Sequence, residues 1–85
     1  MFYVYILKSA KDNNLYLGYT ENLKRRFSEH NKGLINSTKE RRPFILVYYE
    51  AYKDEHEERV REKNLKLRAN AFIQLKRRIK QSLKN

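Results

Sequence analysis

Short apolar runs separated by polar, strongly basic stretches organise this chain. Residues 2 to 8 (Phe-Tyr-Val-Tyr-Ile-Leu-Lys) are almost unbroken in aromatic and β-branched types, which predicts a strand covered on both faces or nearly so. The next stretch, from Ser9 to Asn14, ends in Asp12-Asn13-Asn14, side chains that tolerate left-handed backbone. Residues 2–8 and 14–20 are therefore expected to form an antiparallel hairpin. Within the second strand Leu15 and Leu17 alternate with Tyr16 and Gly18. Whether Tyr5 and Tyr16 share a face depends on register: an even number of loop residues unites them and an odd number separates them.

Helical periodicity takes over after Thr20, whose hydroxyl is the expected N-cap. With Leu23 set at 0°, Phe27 falls at about +40°, His30 at about −20°, Arg26 at about −60° and Arg25 at about 200°. Arg26 and His30 thus share the apolar side while Arg25 points to water. Packing alone gives no reason for two polar heads there. Asn31 and Gly33 stop this helix, and a basic connection from Lys32 to Arg42 leads to Pro43. Residues 44 to 52 (Phe-Ile-Leu-Val-Tyr-Tyr-Glu-Ala-Tyr) read as a third strand, with Pro43 tolerable because it precedes the ladder. Lys53 to Arg68 is expected to be helical, though weakly amphipathic. Asn70 is a candidate cap for a last helix in which Phe72, Leu75, Ile79 and Leu83 form one apolar stripe. No repeat or flexible linker interrupts the pattern. The expected architecture is α+β, a three-stranded antiparallel sheet flanked by helices (ββαβαα), with residues 1–85 as one domain.

Composition narrows the possible partners. A chain of 85 residues buries only roughly 60% of the surface that its unfolded form exposes. It contains no cysteine, so neither disulfides nor a thiolate metal site can reinforce the core, and a reducing cytoplasm suits it. The apolar opening lacks a basic leader and ends at Lys8, far too short to span a bilayer, so a soluble, unprocessed cytoplasmic protein is expected. Twenty Lys and Arg against ten Asp and Glu leave a formal charge of +10. That excess points to a polyanion, foremost nucleic acid, ribosomes included, with an anionic membrane surface as the competitor.

Seven tyrosines accompany no tryptophan. Tyr3, Tyr19, Tyr48, Tyr49 and Tyr52 are read as strand packers with wet hydroxyls. Tyr5 and Tyr16 belong to an ordered set: Tyr3-Val4-Tyr5, then Tyr16-Leu17-Gly18, then Leu23-x-x-Arg26, His30 and a late Arg61-Glu62. This set resembles the GIY-YIG nuclease superfamily, and more narrowly its small stand-alone bacterial members. The likeness runs from Phe2 to about Arg68 and includes Thr38, Arg41-Arg42-Pro43 and the strand ending Val47-Tyr48-Tyr49-Glu50. It implies that Tyr5 and Tyr16 stand together near the cleaved phosphate, that Arg26 contacts that phosphate, and that His30 is an active-site position one turn later. It further implies that Glu62 holds the divalent metal and that Gly18 lets backbone and substrate approach. Tyr3 replaces the first glycine of the family pattern, as it does in the small stand-alone members. Asn70 is not carried over.

Phosphodiester hydrolysis needs an activated water, neutralisation of a pentacovalent dianion and help for the leaving oxygen. One carboxylate suffices for Mg²⁺ (or Mn²⁺) when phosphate and waters complete its shell, and Glu62 could be that carboxylate. A guanidinium grips two phosphate oxygens, which favours Arg26 over any lysine. The resemblance favours Tyr5 as general base, with Arg26, His30 and a metal-bound phosphate drawing it towards phenolate in the loaded site, whereas the chemistry of general bases alone ranks its rival His30 first. Plainer readings stand beside these: Glu62 as a surface carboxylate paired with Lys66, His30 as a helix C-terminal cation, and His56 as surface. Lys39, Arg41, Arg42, Lys66, Lys76 and Arg77, together with Gly18, are the expected nucleic-acid contacts. The leading expectation is a metal-dependent endonuclease acting on DNA with structure or weak sequence selectivity, since so short a chain leaves no room for a separate recognition domain. The alternative is a catalytically silent module binding structured RNA or ribosomes, and a basic structural protein using charge alone ranks third. The leading reading requires both phenols on one sheet face, within one phosphate of Arg26 and His30.

Overall fold

A computed structural model describes residues 1–84. Its elements are β1 (Phe2–Ser9), β2 (Leu15–Thr20), α1 (Leu23–Asn31), a 3-10 turn (Lys39–Arg41), β3 (Phe44–Tyr52), α2 (Glu55–Leu67) and α3 (Ala69–Arg78). This is the expected ββαβαα order. The sheet is antiparallel with strand order β2-β1-β3, so the most apolar strand is the central one. Val4 and Ile6 pack on one face with Leu65 of α2 and Leu75 of α3. Tyr5 and Leu7 pack on the other with Phe44, Tyr16 and the α1 residues Leu23 and Phe27. The four β1 side chains are at most 1% exposed, and burying each aliphatic one contributes about 1.5–3 kcal/mol. The sheet is therefore the middle layer, with α1 above it and α2 and α3 below. No helix among the described residues is long and apolar enough to cross a membrane.

The hairpin settles the register question. Lys8 pairs with Leu15, leaving residues 9–14 between them, an even number, and Tyr5 and Tyr16 share a face. Asn13 supplies the left-handed residue of the turn at φ 61°. Along β3 the pairing skips between Ile6↔Tyr48 and Leu7↔Leu46. This bulge at Val47 lets Phe44 and Leu46 face α1 while Val47 and Tyr48 face α2 and α3.

Three local expectations need correction. The N-cap of α1 is Asn22, which accepts from the Arg25 N–H at 3.0 Å. Thr20 ends β2 instead, and its hydroxyl accepts from the Asn22 N–H in a local turn. Asn70 does not cap α3, because Arg68 closes α2 and opens α3 at once, leaving Asn70 inside the helix. The last helix also ends at Arg78, short of Leu83. Ile79 still packs on the core, and the Leu83 carbonyl accepts from Lys8 Nζ at 2.6 Å.

The weak amphipathicity of α2 has a structural cause, since part of its sheet-facing side is polar. Glu50 accepts from the Tyr48 and Tyr52 hydroxyls at 2.6 Å each and from Arg61 Nε and Nη2 at 2.9 and 3.0 Å. Burial opposes ionisation of Glu50, but the Arg61 guanidinium and the two phenols outweigh it and hold the carboxyl down at about 2. Its folded-state value is thus depressed. The stabilisation is present above the ordinary value of 4.5 and is lost as pH falls from there towards 2. Glu50→Ala is expected to cost about 2 kcal/mol, read as a fall in Tm at pH 7 that shrinks as the wild type is itself acidified.

A candidate active site between α1 and the sheet edge

Tyr5 projects from the central strand and leans across Gly18 of β2, its cross-strand partner. A Cβ at position 18 would lie 2.5 Å from Tyr5 Oη and 2.6 Å from its Cζ, so no other residue leaves the phenol where it is. Tyr16 is its neighbour, with ring centroids 6.3 Å apart. The apolar face of α1 descends on this pair and brings His30 within 5.0 Å of the Tyr16 ring and 5.8 Å of the Tyr5 ring. His30 is wholly buried, its Nε2 lying 2.8 Å from Tyr5 Oη and its Nδ1 lying 2.8 Å from Thr38 Oγ1.

Which nitrogen of His30 carries the proton follows from the neighbours. The positive charge of the Arg26 guanidinium bears on the Tyr5 phenol, and burial keeps the His30 ring neutral. The Tyr5 O–H is then assigned as donor to an unprotonated His30 Nε2, and His30 Nδ1–H as donor to Thr38 Oγ1. Burial, followed by the Arg26 charge, lowers the His30 pKa from 6.5, which keeps the ring neutral at physiological pH. Burial is also the largest influence on Tyr5, and with Tyr16 and Glu62 it outweighs Arg26 and pushes the phenol up to about 12. In the protein alone desolvation disfavours the Tyr5 anion more than one guanidinium favours it; the expected draw towards phenolate concerns the loaded site, where a metal-bound phosphate adds its charge. Arg26 itself is partly open to solvent and lies 3.4 Å from Glu29. It lines a cleft of about 300 Å³ with Tyr19, Thr20, Glu21 and Arg25.

Glu62 approaches from α2, which packs against β1 and β2. Its carboxylate is bridged to Lys66 at 2.8 Å, as the plainer reading expected, yet its charge also acts on the Tyr5 phenol. Among the described residues no three His, Cys, Asp or Glu side chains gather into an all-protein metal cage. The donor set nevertheless fits a hard, largely hydrated cation, which takes only one or two carboxylates. One turn before Glu62, Glu58 is fully buried and neither of its oxygens has a hydrogen-bond partner.

The remaining basic candidates do not converge on this cluster. Arg41 is bound to Asp12 at 2.8 Å and lies over the Phe44 ring, while Arg42 Nε donates to the Lys39 carbonyl at 2.7 Å. Lys39 is exposed beside buried Thr38. Lys76, resting over the Phe72 ring, and exposed Arg77 belong to α3, beneath the sheet face opposite Tyr5. Sequence reasoning gave no role to Glu58, and it named Thr38 only as part of the resemblance, without its bond to His30. The available signals were a hydroxyl in the loop after the His30 helix and a second acid one turn before Glu62.

Comparison with known proteins identifies the family. The model of the GIY-YIG catalytic domain matches residues 1–78. A UPF0213 protein of Staphylococcus haemolyticus is 48% identical over 65 residues, covering 75% of this chain and 78% of its own. A UPF0213 protein of Clostridium perfringens is 44% identical over 77 residues, covering 88% and 82%. One from Pediococcus pentosaceus is 49% identical over 57 residues, covering 66% and 59%. No solved structure matches. The relatives' names state no activity, but the family match spans all of the elements that build the site, and the chain belongs to the GIY-YIG catalytic domain family, a nuclease superfamily.

Proposed function

We propose that this protein is a metal-dependent endonuclease that hydrolyses DNA phosphodiester bonds with structure or weak sequence selectivity. The observation carrying this reading is the buried Tyr5–His30–Thr38 hydrogen-bond chain, with the Arg26 guanidinium acting on its outer end. A phenol already bonded to a neutral imidazole can take a proton from water while passing its own to His30 Nε2. Water oxygen then bonds to phosphorus, the P–O bond to the leaving oxygen breaks, and a solvent proton neutralises that oxygen. Arg26 would grip the non-bridging oxygens as charge accumulates on them. Glu62 would hold Mg²⁺ or Mn²⁺, which supplies charge neutralisation at the phosphate and the leaving oxygen.

The test is incubation of purified protein with supercoiled, branched and single-stranded DNA, with Mg²⁺, with Mn²⁺ and with chelator. Nicking or cutting with either metal and none with chelator is expected. Binding without cutting on every substrate would replace this reading with that of a silent nucleic-acid-binding module.

A further inference from the structure

The most costly group left unexplained by the fold is Glu58. It is 0% exposed, and both carboxylate oxygens lack a hydrogen-bond partner among the described residues. Buried polar groups are nearly always satisfied, so such an exception calls for a ligand, a proton or a cation. The nearby cations of α2 are engaged elsewhere: Arg59 bridges Glu55 and lies over the Tyr19 ring, Arg61 is forked on Glu50, and Lys66 bridges Glu62. Burial and then the charge of Glu62 push the Glu58 carboxyl up, and the charges of Arg59 and Lys66 offset this only in part. Side chains four apart on a helix stand one above the other, with Cβ atoms about 5–6 Å apart. Glu58 and Glu62 therefore present two carboxylates on one face of α2, the inner one without a hydrogen-bond partner among the described residues. His30 offers no nitrogen to this pair, since both of its ring nitrogens are taken by Tyr5 and Thr38. The donors are all oxygen, the set preferred by Mg²⁺ and Mn²⁺.

We propose that Glu58 is a second carboxylate ligand of the cation site, holding one hard divalent cation jointly with Glu62. The inference rests on the reading of Glu62 as a metal ligand and extends it to a residue to which that reading gives no role. Two carboxylates in place of one predict a cation bound before nucleic acid arrives, instead of one recruited together with the substrate phosphate.

The experiment is Mn²⁺ binding to the nucleic-acid-free protein, followed by electron paramagnetic resonance and by the Mn²⁺-dependent rise in Tm. The wild type is expected to bind one Mn²⁺. Glu58→Gln should weaken that binding at least about tenfold and lose most of the metal-induced rise in Tm, as linkage requires. In chelator its Tm should equal or exceed that of the wild type, because a buried charge has gone. Should the Gln protein fold poorly, Glu58→Leu removes the charge with an apolar side chain and is read in the same way. An unchanged Mn²⁺ affinity in the Glu58 variant would overturn the proposal, as would a wild type that binds no Mn²⁺ without DNA. In either case metal-dependent DNA cutting by the wild type would leave the nuclease reading standing. Conversely, normal Mn²⁺ binding with no cutting would sink the nuclease reading and spare the site.

Discussion

Glu62→Gln protein is expected to cut DNA about a hundredfold more slowly than the wild type, the loss typical when one strong electrostatic stabiliser is removed from a transition state. The substitution keeps size and hydrogen-bonding capacity and removes only the charge that a divalent ion needs. Folding should barely change, because the partner lost is Lys66, whose side chain is half exposed. DNA affinity should be retained or slightly raised, since a carboxylate facing a phosphate is repulsive until a cation intervenes. Single-turnover cleavage alongside a filter-binding isotherm separates the two effects. Arg26→Ala gives the contrasting pattern, with cleavage and binding falling together. A Glu62→Gln protein that cuts at the parental rate would remove Glu62 from the mechanism altogether.

Tyr5→Phe should be at least as damaging, again by about a hundredfold or more, for a different reason. The ring that fills the centre of the α1-facing core stays, while the oxygen that mediates between water and His30 Nε2 goes. Stability should fall by only about 1–2 kcal/mol, for an imidazole nitrogen left without its partner. The pH profile identifies the acceptor. If neutral His30 receives the proton, protonating it stops the reaction, and its pKa lies below 6.5. The wild-type rate should therefore fall on the acid side of pH 6.5 and level off above it. A rate that climbs steadily through pH 9 and 10 would show instead that Tyr5 must ionise, against a phenol value near 12.

Much of the architecture is legible in local pattern. The third strand reads from Phe44 to Tyr52 because an apolar run follows Pro43 directly, and the structure agrees at both ends. The α1 wheel places Arg26 and His30 beside Leu23 and Phe27, and His30 is indeed buried under that face. What escapes the sequence depends on partners remote in the chain. Thr20 and Asn22 are both good cap formers, and only the length of β2 decides between them. The bulge at Val47 exists because β3 must serve two cores at once, which alternation along one strand cannot reveal. Nearby charge in the sequence suggests phenolate character at Tyr5, whereas depth of burial dominates in the protein alone and is a property of the whole packed sheet. Glu58 looks like any helix glutamate until the fold closes over it.

The placement of Tyr5 on β1 also determines how the protein would fail. β1 is hydrogen-bonded on both edges and holds the centre of both cores, so its amides belong to the part of the chain that opens last, while the outer strands and the last turns open earlier. The phenol proposed to react is thus mounted on the final cooperative unit to come apart. Partial opening elsewhere leaves Tyr5 in place, but opening of β2, which carries Tyr16 and Gly18, would dismantle the cluster around it, so loss of the site is expected to precede global unfolding.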